Sequence, residues 1–185
     1  MATLTFFDTF ADAPMTSMGE ARIELQPVGL ADAAIIFDAW GRRPENFTHL
    51  TARVFAELAE ARAYIAGLLQ SPDSLAFHIL ERSGSVVGIV KAAVVGHRAQ
   101  VGYVVDQAFW GRGFATEAVR QLVASLEAMP SISRIWATCA LDNLASARVL
   151  EKNGFTREAT LKRWAAYPAL GGLAFDNYSY VRSKP

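Results

Sequence analysis

Gln100-Val101-Gly102-Tyr103-Val104-Val105-Asp106-Gln107-Ala108-Phe109-Trp110-Gly111-Arg112-Gly113-Phe114-Ala115-Thr116-Glu117 decides how the rest of the chain is read. An apolar strand over 101–105 runs through a short polar and aromatic bend into two glycines, and a helical pattern starts at once. That is the layout of a phosphate cradle. The glycines let backbone N–H groups close on an anion, and the helix start behind them adds N–H groups without partners and the positive end of a dipole. The same spacing also serves a plain strand-to-helix turn, so the flanking sequence has to choose between the two.

Downstream, Ala115, Ala118, Val119, Leu122, Val123 and Leu126 recur at helical spacing, and Pro130 stops that helix. The stretch 132–139 is rich in β-branched and aromatic residues and reads as a strand. Asp142-Asn143 offer N-cap side chains to another helix edged by Leu144, Ala147 and Leu150, and Gly154 stands where a left-handed cap would end it. From Phe155 two more strands follow, joined by a loop with Pro168 and Gly171-Gly172. Upstream, the apolar runs 75–80 and 86–95 are separated by Ser83-Gly84-Ser85, and Gly96-His97-Arg98 turns into 100–105. These three predict an antiparallel meander. Before it come a strand over 23–26 ended by Pro27, a helix over 30–40 halted at Gly41, and a helix striped by Leu58, Ala61, Ile65 and Leu68 and closed by Ser71-Pro72-Asp73. Residues 1–20 show no sustained period and read as an extension, with 21–185 as one domain. The order predicts a mixed α/β (α+β) fold, helices packed on a largely antiparallel central sheet.

Length and charge narrow the function. A chain of 185 residues, 52% hydrophobic and 19% charged, can bury a full core. Its 18 basic and 18 acidic side chains cancel, which argues against a general nucleic-acid or membrane binder. Cys139 is the single cysteine, so intrachain disulfides are impossible, cysteine-pair metal sites are disfavoured, and a reducing, cytoplasmic setting fits. No run reaches the length of a membrane span, and Asp8 and Asp12 stand where a secretory signal would be basic and then apolar. His49, His78 and His97 lack metal-ligand spacing and read as surface or core residues, and no metal is expected.

Two motifs in this order, Val101-Gly102-Tyr103 followed by Phe109-Trp110-Gly111-Arg112-Gly113-Phe114-Ala115-Thr116-Glu117-Ala118, and then Asp142-Asn143-Leu144-Ala145-Ser146-Ala147-Arg148-Val149-Leu150-Glu151-Lys152-Asn153-Gly154-Phe155, carry a family resemblance. Over about 21–182 the chain resembles the GNAT superfamily of acetyl-CoA-dependent N-acetyltransferases, in the branch of the ribosomal-protein N-terminal acetyltransferases (RimJ/RimL-like). The resemblance implies a sheet flanked by about four helices with one splayed strand pair, opened where a bulge ends the pairing. It implies acetyl-CoA as co-substrate, its pyrophosphate held by Gly111, Arg112, Gly113, Phe114, Ala115 and Thr116. The amide-bearing pantetheine arm would pair as a pseudo-strand along Val104 and Val105, with Asn143 bonding it or capping a helix, or both. The acceptor would be a small-molecule amine or a peptide or protein N-terminus, and the resemblance leaves room for a homodimer.

Direct transfer needs a neutral amine, a polarised carbonyl and a proton for the departing thiolate, and it needs no covalent enzyme intermediate, so Cys139 reads as a small buried residue. Many relatives protonate the thiolate with a tyrosine where this chain has Leu150, which has no proton to give; the resemblance to the ribosomal-protein acetyltransferases, where this helix position serves instead, implies Ser146 as the general-acid candidate, against a plain place in the helix's first turn. Many also carry glutamate where Gln100 stands; the resemblance instead implies Glu158, which matches a family carboxylate near the acceptor site, as the candidate base, directly or through water. Asp176 is a second carboxylate, structural or acceptor-orienting, Tyr103 lines the cleft or simply packs, and Trp40, Trp164 and Tyr167 either select the acceptor or belong to the core. Leu150 and Gln100 also admit a second reading, a catalytically weak acetyl-CoA-binding or regulatory module. A dinucleotide-binding oxidoreductase fails, because Thr116 stands at the third glycine position and a meander rather than a βαβ unit precedes the turn.

Overall fold

The structure is a computed structural model that describes residues 21–70 and 74–183, so the expected extension 1–20 and the helix-closing Ser71-Pro72-Asp73 lie outside the described residues. β1 (Ile23–Pro27) leads into a helical stretch of changing pitch: a 3-10 turn (Leu30–Asp32), α1 (Ala33–Ile36) and a π turn (Phe37–Gly41). Another 3-10 turn (Pro44–Phe47) and α2 (Leu58–Gln70) follow, and the meander β2 (Ser74–Glu81), β3 (Val86–Val95) and β4 (Arg98–Val105) comes next. A 3-10 turn (Gln107–Phe109) precedes α3 (Phe114–Ala128), and β5 (Arg134–Ala140), α4 (Leu144–Lys152), β6 (Thr156–Ala166) and β7 (Ala174–Ser183) complete the order. This is the mixed α/β arrangement that the periodicities predict.

The strands form one sheet in the order β1-β2-β3-β4-β5-β7-β6. Every neighbouring pair is antiparallel except β4 with β5. Helices cover both faces. On one, α3 lays down Phe114, Ala118, Val119, Leu122, Val123 and Leu126, all buried, against Val101, Val105, Ile135 and Ala137. Each fully buried aliphatic of that stripe contributes about 1.5–3 kcal/mol relative to exposure. On the other, α1 and α2 close over Ile89 and Val104 with an aromatic cluster of Trp40, Phe47, Phe55 and Tyr64. Trp40 is 1% exposed and packs in this cluster, and it also borders the cleft.

The feature that positions the site is a parting of the sheet. β4 runs beside β3 in unbroken register from Val95↔Arg98 to Gly88↔Val105. β5 runs beside β7 just as continuously, from Arg134↔Ser183 to Ala140↔Asn177. Between β4 and β5 only Arg98↔Arg134, Ala99↔Ile135 and Gln100↔Trp136 pair. Beyond Gln100 each strand follows its own antiparallel partner, and the right-handed twist of the two half-sheets carries them apart. The expected splay is present, but the bulge thought to cause it is not: the described register breaks fall on the β2–β3 and β6–β7 ladders.

Candidate active site

The parting opens a cleft of about 1350 Å³ that reaches both faces of the sheet, from Tyr64 and Leu68 of α2 on one side to Thr116 of α3 and Ser146 of α4 on the other, with Gly102 and Thr138 at the gap. Along an antiparallel ladder, successive residues turn their backbone groups to opposite sides. The Val104 carbonyl faces β3, where a Cβ built on Gly88 would collide with it. Tyr103 and Val105 therefore turn toward the gap, and the Val105 carbonyl there accepts a 2.7 Å bond from Trp110 Nε1. Of the two expected strand positions, Val105 offers its backbone to the gap, while Val104 gives its backbone to β3 and its side chain to the core under α2.

At the end of β4 the glycine turn takes the conformation its sequence requires. Gly111 and Gly113 have φ of 76° and 83°, left-handed values that an L side chain adopts at a cost. Gly113 is the N-cap of α3, and no side chain caps the helix. From Gly111 to Thr116, no backbone N–H donates to a protein acceptor among the described residues. A Cβ on Gly111 would meet nothing within 4 Å. An uncapped fifteen-residue helix with open space before its first turn fits an anionic pyrophosphate. Gly111, Gly113, Phe114, Ala115 and Thr116 line the cleft.

Arg112 is placed differently. Its guanidinium lies 5.1 Å from the Phe109 ring centroid, outside the cleft lining, and its carbonyl accepts from Arg22 at 2.9 Å. Arg22 in turn holds Glu117, N–H to Oε1 at 2.8 Å and Nε to Oε2 at 3.2 Å, which ties the chain before β1 to the first turn of α3. The cations on the cleft wall beside α3 are instead Arg148 and Lys152, spaced four apart on α4. Their helical spacing was readable, but only the tertiary structure sets that helix beside the turn.

Asn143 caps α4, its Oδ1 accepting from the Ser146 N–H at 3.0 Å, and its side-chain amide donors stay unpaired among the described residues. Both residues line the cleft. The Ser146 hydroxyl stands 2.8 Å from that of Tyr103, which also reaches the Ser146 carbonyl at 3.2 Å. Burial pushes the Tyr103 phenol far above its ordinary value, so it stays protonated. Two neutral hydroxyls thus sit together at the gap, and they can hydrogen-bond a departing thiolate. Cys139, buried beside them, has its thiol pushed up to about 11, chiefly by burial and then by Glu151, so it is no thiolate nucleophile at neutral pH.

Glu158 is not brought to Ser146. It sits at the register break between Arg157 and Ala159, where its carboxylate pairs with Arg134 and accepts from Ser179 Oγ at 3.0 Å, and it is absent from the cleft wall. Arg134 opens β5, at the end of the strand remote from Cys139, and the ion pair holds the candidate base there. Asp176 pins a bulge. It accepts from Arg163 N–H at 2.9 Å and Lys162 Nζ at 2.7 Å, while Leu161 and Ala165 pair with the flanking Asn177 and Phe175. Arg163 takes a φ of 48° there, and Trp164, half exposed, lines the cleft.

Two groups that the spacing alone did not mark stand out. Asp106, fully buried at the end of β4, accepts from Arg43 Nη1 at 2.7 Å, Asn46 Nδ2 at 3.0 Å and Ala108 N–H at 3.0 Å, while Asn46 Oδ1 accepts from Gln107 N–H at 2.8 Å. This knot ties the segment after the π turn to the bend before the glycines. His49 reaches the cleft wall beside Asp142. Among the described residues no group of three or more His, Cys, Asp or Glu is placed to hold a metal ion, and no helix is long and apolar enough to cross a membrane.

Comparison with known proteins agrees with this geometry. The uncharacterized N-acetyltransferase p20 of Bacillus licheniformis is 25% identical over 90% of this chain and 95% of its own. The microcin C7 self-immunity acetyltransferase MccE, in complex with acetyl-CoA and AMP, shares the fold at a TM-score of 0.80 and 22% identity, covering 92% of this chain and 98% of that one. RimL, the ribosomal L7/L12 α-N-protein acetyltransferase, in complex with coenzyme A, does so at 0.79 and 20% identity, covering 92% and 96%. The acetyltransferase (GNAT) domain model matches residues 22–156, most of the chain and both motifs, and the protein belongs to that family.

Proposed function

We propose that the chain moves an acetyl group from acetyl-CoA directly to a primary amine, with a small amine, an amino acid and a peptide or protein N-terminus as the acceptor classes. One observation carries this reading: the uncapped start of α3 and the unpaired edge of β4 open into the same cleft, and that cleft passes through the sheet. A diphosphate on the helix start would leave an amide-bearing arm lying along Tyr103 and Val105 toward the gap. Bound there, acetyl-CoA supplies the activated thioester. The chain's own contribution is to hold it, to turn backbone N–H groups toward the carbonyl, to offer the Tyr103–Ser146 hydroxyl pair to the sulfur, and to admit the amine from the α2 face.

The structures of MccE with acetyl-CoA and of RimL with coenzyme A support the donor. Arg148 and Lys152 are suited to the remaining phosphate charge. The lone, buried cysteine suits a cytoplasmic enzyme, one domain over 21–185 carries the activity, and a homodimer is its proposed assembly. Incubation with acetyl-CoA and a panel of amines, amino acids and peptides, read by mass spectrometry, tests the proposal. A gain of one acetyl group on an amine is expected; coenzyme A binding with no transfer to any member supports the binding-module reading instead.

A further inference from the structure

Four polar residues from four segments meet on one wall of the cleft: His49 after the Pro44–Phe47 turn, Asp142 before α4, Tyr167 after β6 and Asn177 on β7. They form a chain. His49 Nε2 lies 3.2 Å from Asp142 Oδ1, its ring meets that of Tyr167 edge-on at 6.0 Å, and the Tyr167 hydroxyl accepts from Asn177 Nδ2 at 2.6 Å. Each end has bonding capacity left over. Asn177 is 1% exposed, yet its Oδ1 has no partner. His49 Nε2 is buried and off hydrogen-bond geometry with the carboxylate, and Nδ1 makes no hydrogen bond among the described residues. An unsatisfied buried acceptor is unfavourable, and a ligand that donates N–H groups relieves that cost.

Resting on the acetyl-transfer reading, we propose that this wall is the amine subsite, that its substrate class is a primary alkylamine, and that His49 is the base. When the proton sits on Nε2, 3.2 Å from the Asp142 carboxylate, Nδ1 carries the lone pair. Asn177 Oδ1 accepts one N–H of the amine and His49 Nδ1 takes the proton that leaves. The N–C bond forms at the acetyl carbonyl carbon and the C–S bond breaks. An alkylammonium gives up two protons, both through His49 to solvent in turn, while the Tyr103–Ser146 pair gives the sulfur its proton and takes one back from solvent. Asp142 faces the imidazolium that forms.

An alkylammonium gives up two protons, whereas an aromatic amine gives up one, from a strongly acidic adduct that water can deprotonate, and this difference sets the test. Wild type, His49→Gln and Asn177→Leu are assayed with acetyl-CoA against 2-phenylethylamine, short peptides and other alkylamines, and against aromatic amines that are already neutral at pH 7. Loss of a general base predicts that His49→Gln lowers kcat on alkylamines about 100-fold or more, with aromatic amines slowed less than about fivefold and calorimetric CoA affinity unchanged. Asn177→Leu should raise KM for the amine more than it lowers kcat. Equal losses on both amine classes, or wild-type kcat in His49→Gln, overturn the inference. A variant that fails to fold is bypassed in wild type by NMR, where the His49 ring resonances should shift saturably as 2-phenylethylamine is added to the CoA complex, and unmoved resonances overturn it. Transfer by wild type with His49→Gln unaffected sinks this inference alone, whereas CoA binding with no amine acetylated sinks the transferase reading and this with it.

Discussion

At the scale of single residues, the glycines do the most for the least mass. Gly113 sits at φ 83° with the Arg22 guanidinium 3.1 Å from where a Cβ would be, so Gly113→Glu brings backbone strain, crowding and a negative charge to the start of α3 at once. Coenzyme A affinity is expected to fall about 100-fold, some 2.7 kcal/mol, measured by calorimetry on a variant shown to be folded by circular dichroism. Gly88 works through contact rather than conformation. A side chain there collides with the Val104 carbonyl, so Gly88→Ala should push β4 off its ladder and cost about 1–3 kcal/mol in urea unfolding. Ser146→Ala removes one of the paired hydroxyls while Tyr103 remains, and about a tenfold drop in kcat with unchanged CoA affinity is expected in steady-state assays. Ser146 was marked only through the family resemblance of its helix. Tyr103 was visible in the strand, but its bond to Ser146 crosses from β4 to α4 and follows from no local pattern.

At the scale of elements, two polar anchors fix segments that periodicity alone leaves free. Asp106 joins the end of β4 to Arg43 and Asn46, with its own side chain fully buried. Asp106→Ala strands those donors, and a loss of about 3 kcal/mol is expected by denaturant unfolding, discounted toward the lower end because Arg43 is half exposed. Asp32 holds the start of the first helical stretch to β2 through the Gly29 N–H at 2.7 Å and His78 Nε2 at 3.0 Å. Burial pushes its carboxyl up, but these bonds outweigh it and keep the pKa below the ordinary 3.8. A depressed folded value means the native state binds fewer protons than the unfolded one near that pH. The contribution is therefore complete above 3.8 and lost as pH falls through the lower folded value. Asp32→Asn should flatten the acid limb of the stability profile, followed by thermal melts below about pH 5.

At the scale of the whole molecule, the cleft exists because two antiparallel half-sheets share only three parallel residue pairs. Cys139 reports on the integrity of that join. Its thiol is 4% exposed and pushed up to about 11, so it should resist iodoacetamide at pH 8 in the native state and react quickly in urea. Coenzyme A at about 100 times its Kd should protect it further, by some 2.7 kcal/mol when labelling proceeds through global unfolding. The strand and helix order, the glycine turn and the Asn143 cap were determined by the sequence alone, because side-chain period, left-handed φ and capping chemistry are settled within a few residues. Register and proximity were not. Glu158 satisfied the motif's spacing yet lies against Arg134, because a break in the β6–β7 ladder and an ion pair keep it there. His49 carried no motif, and it reaches Asp142 and Tyr167 only because the Asp106 knot folds its segment over the gap. Local rules say what each segment becomes; which side chains share a cleft depends on long-range packing that no single segment encodes.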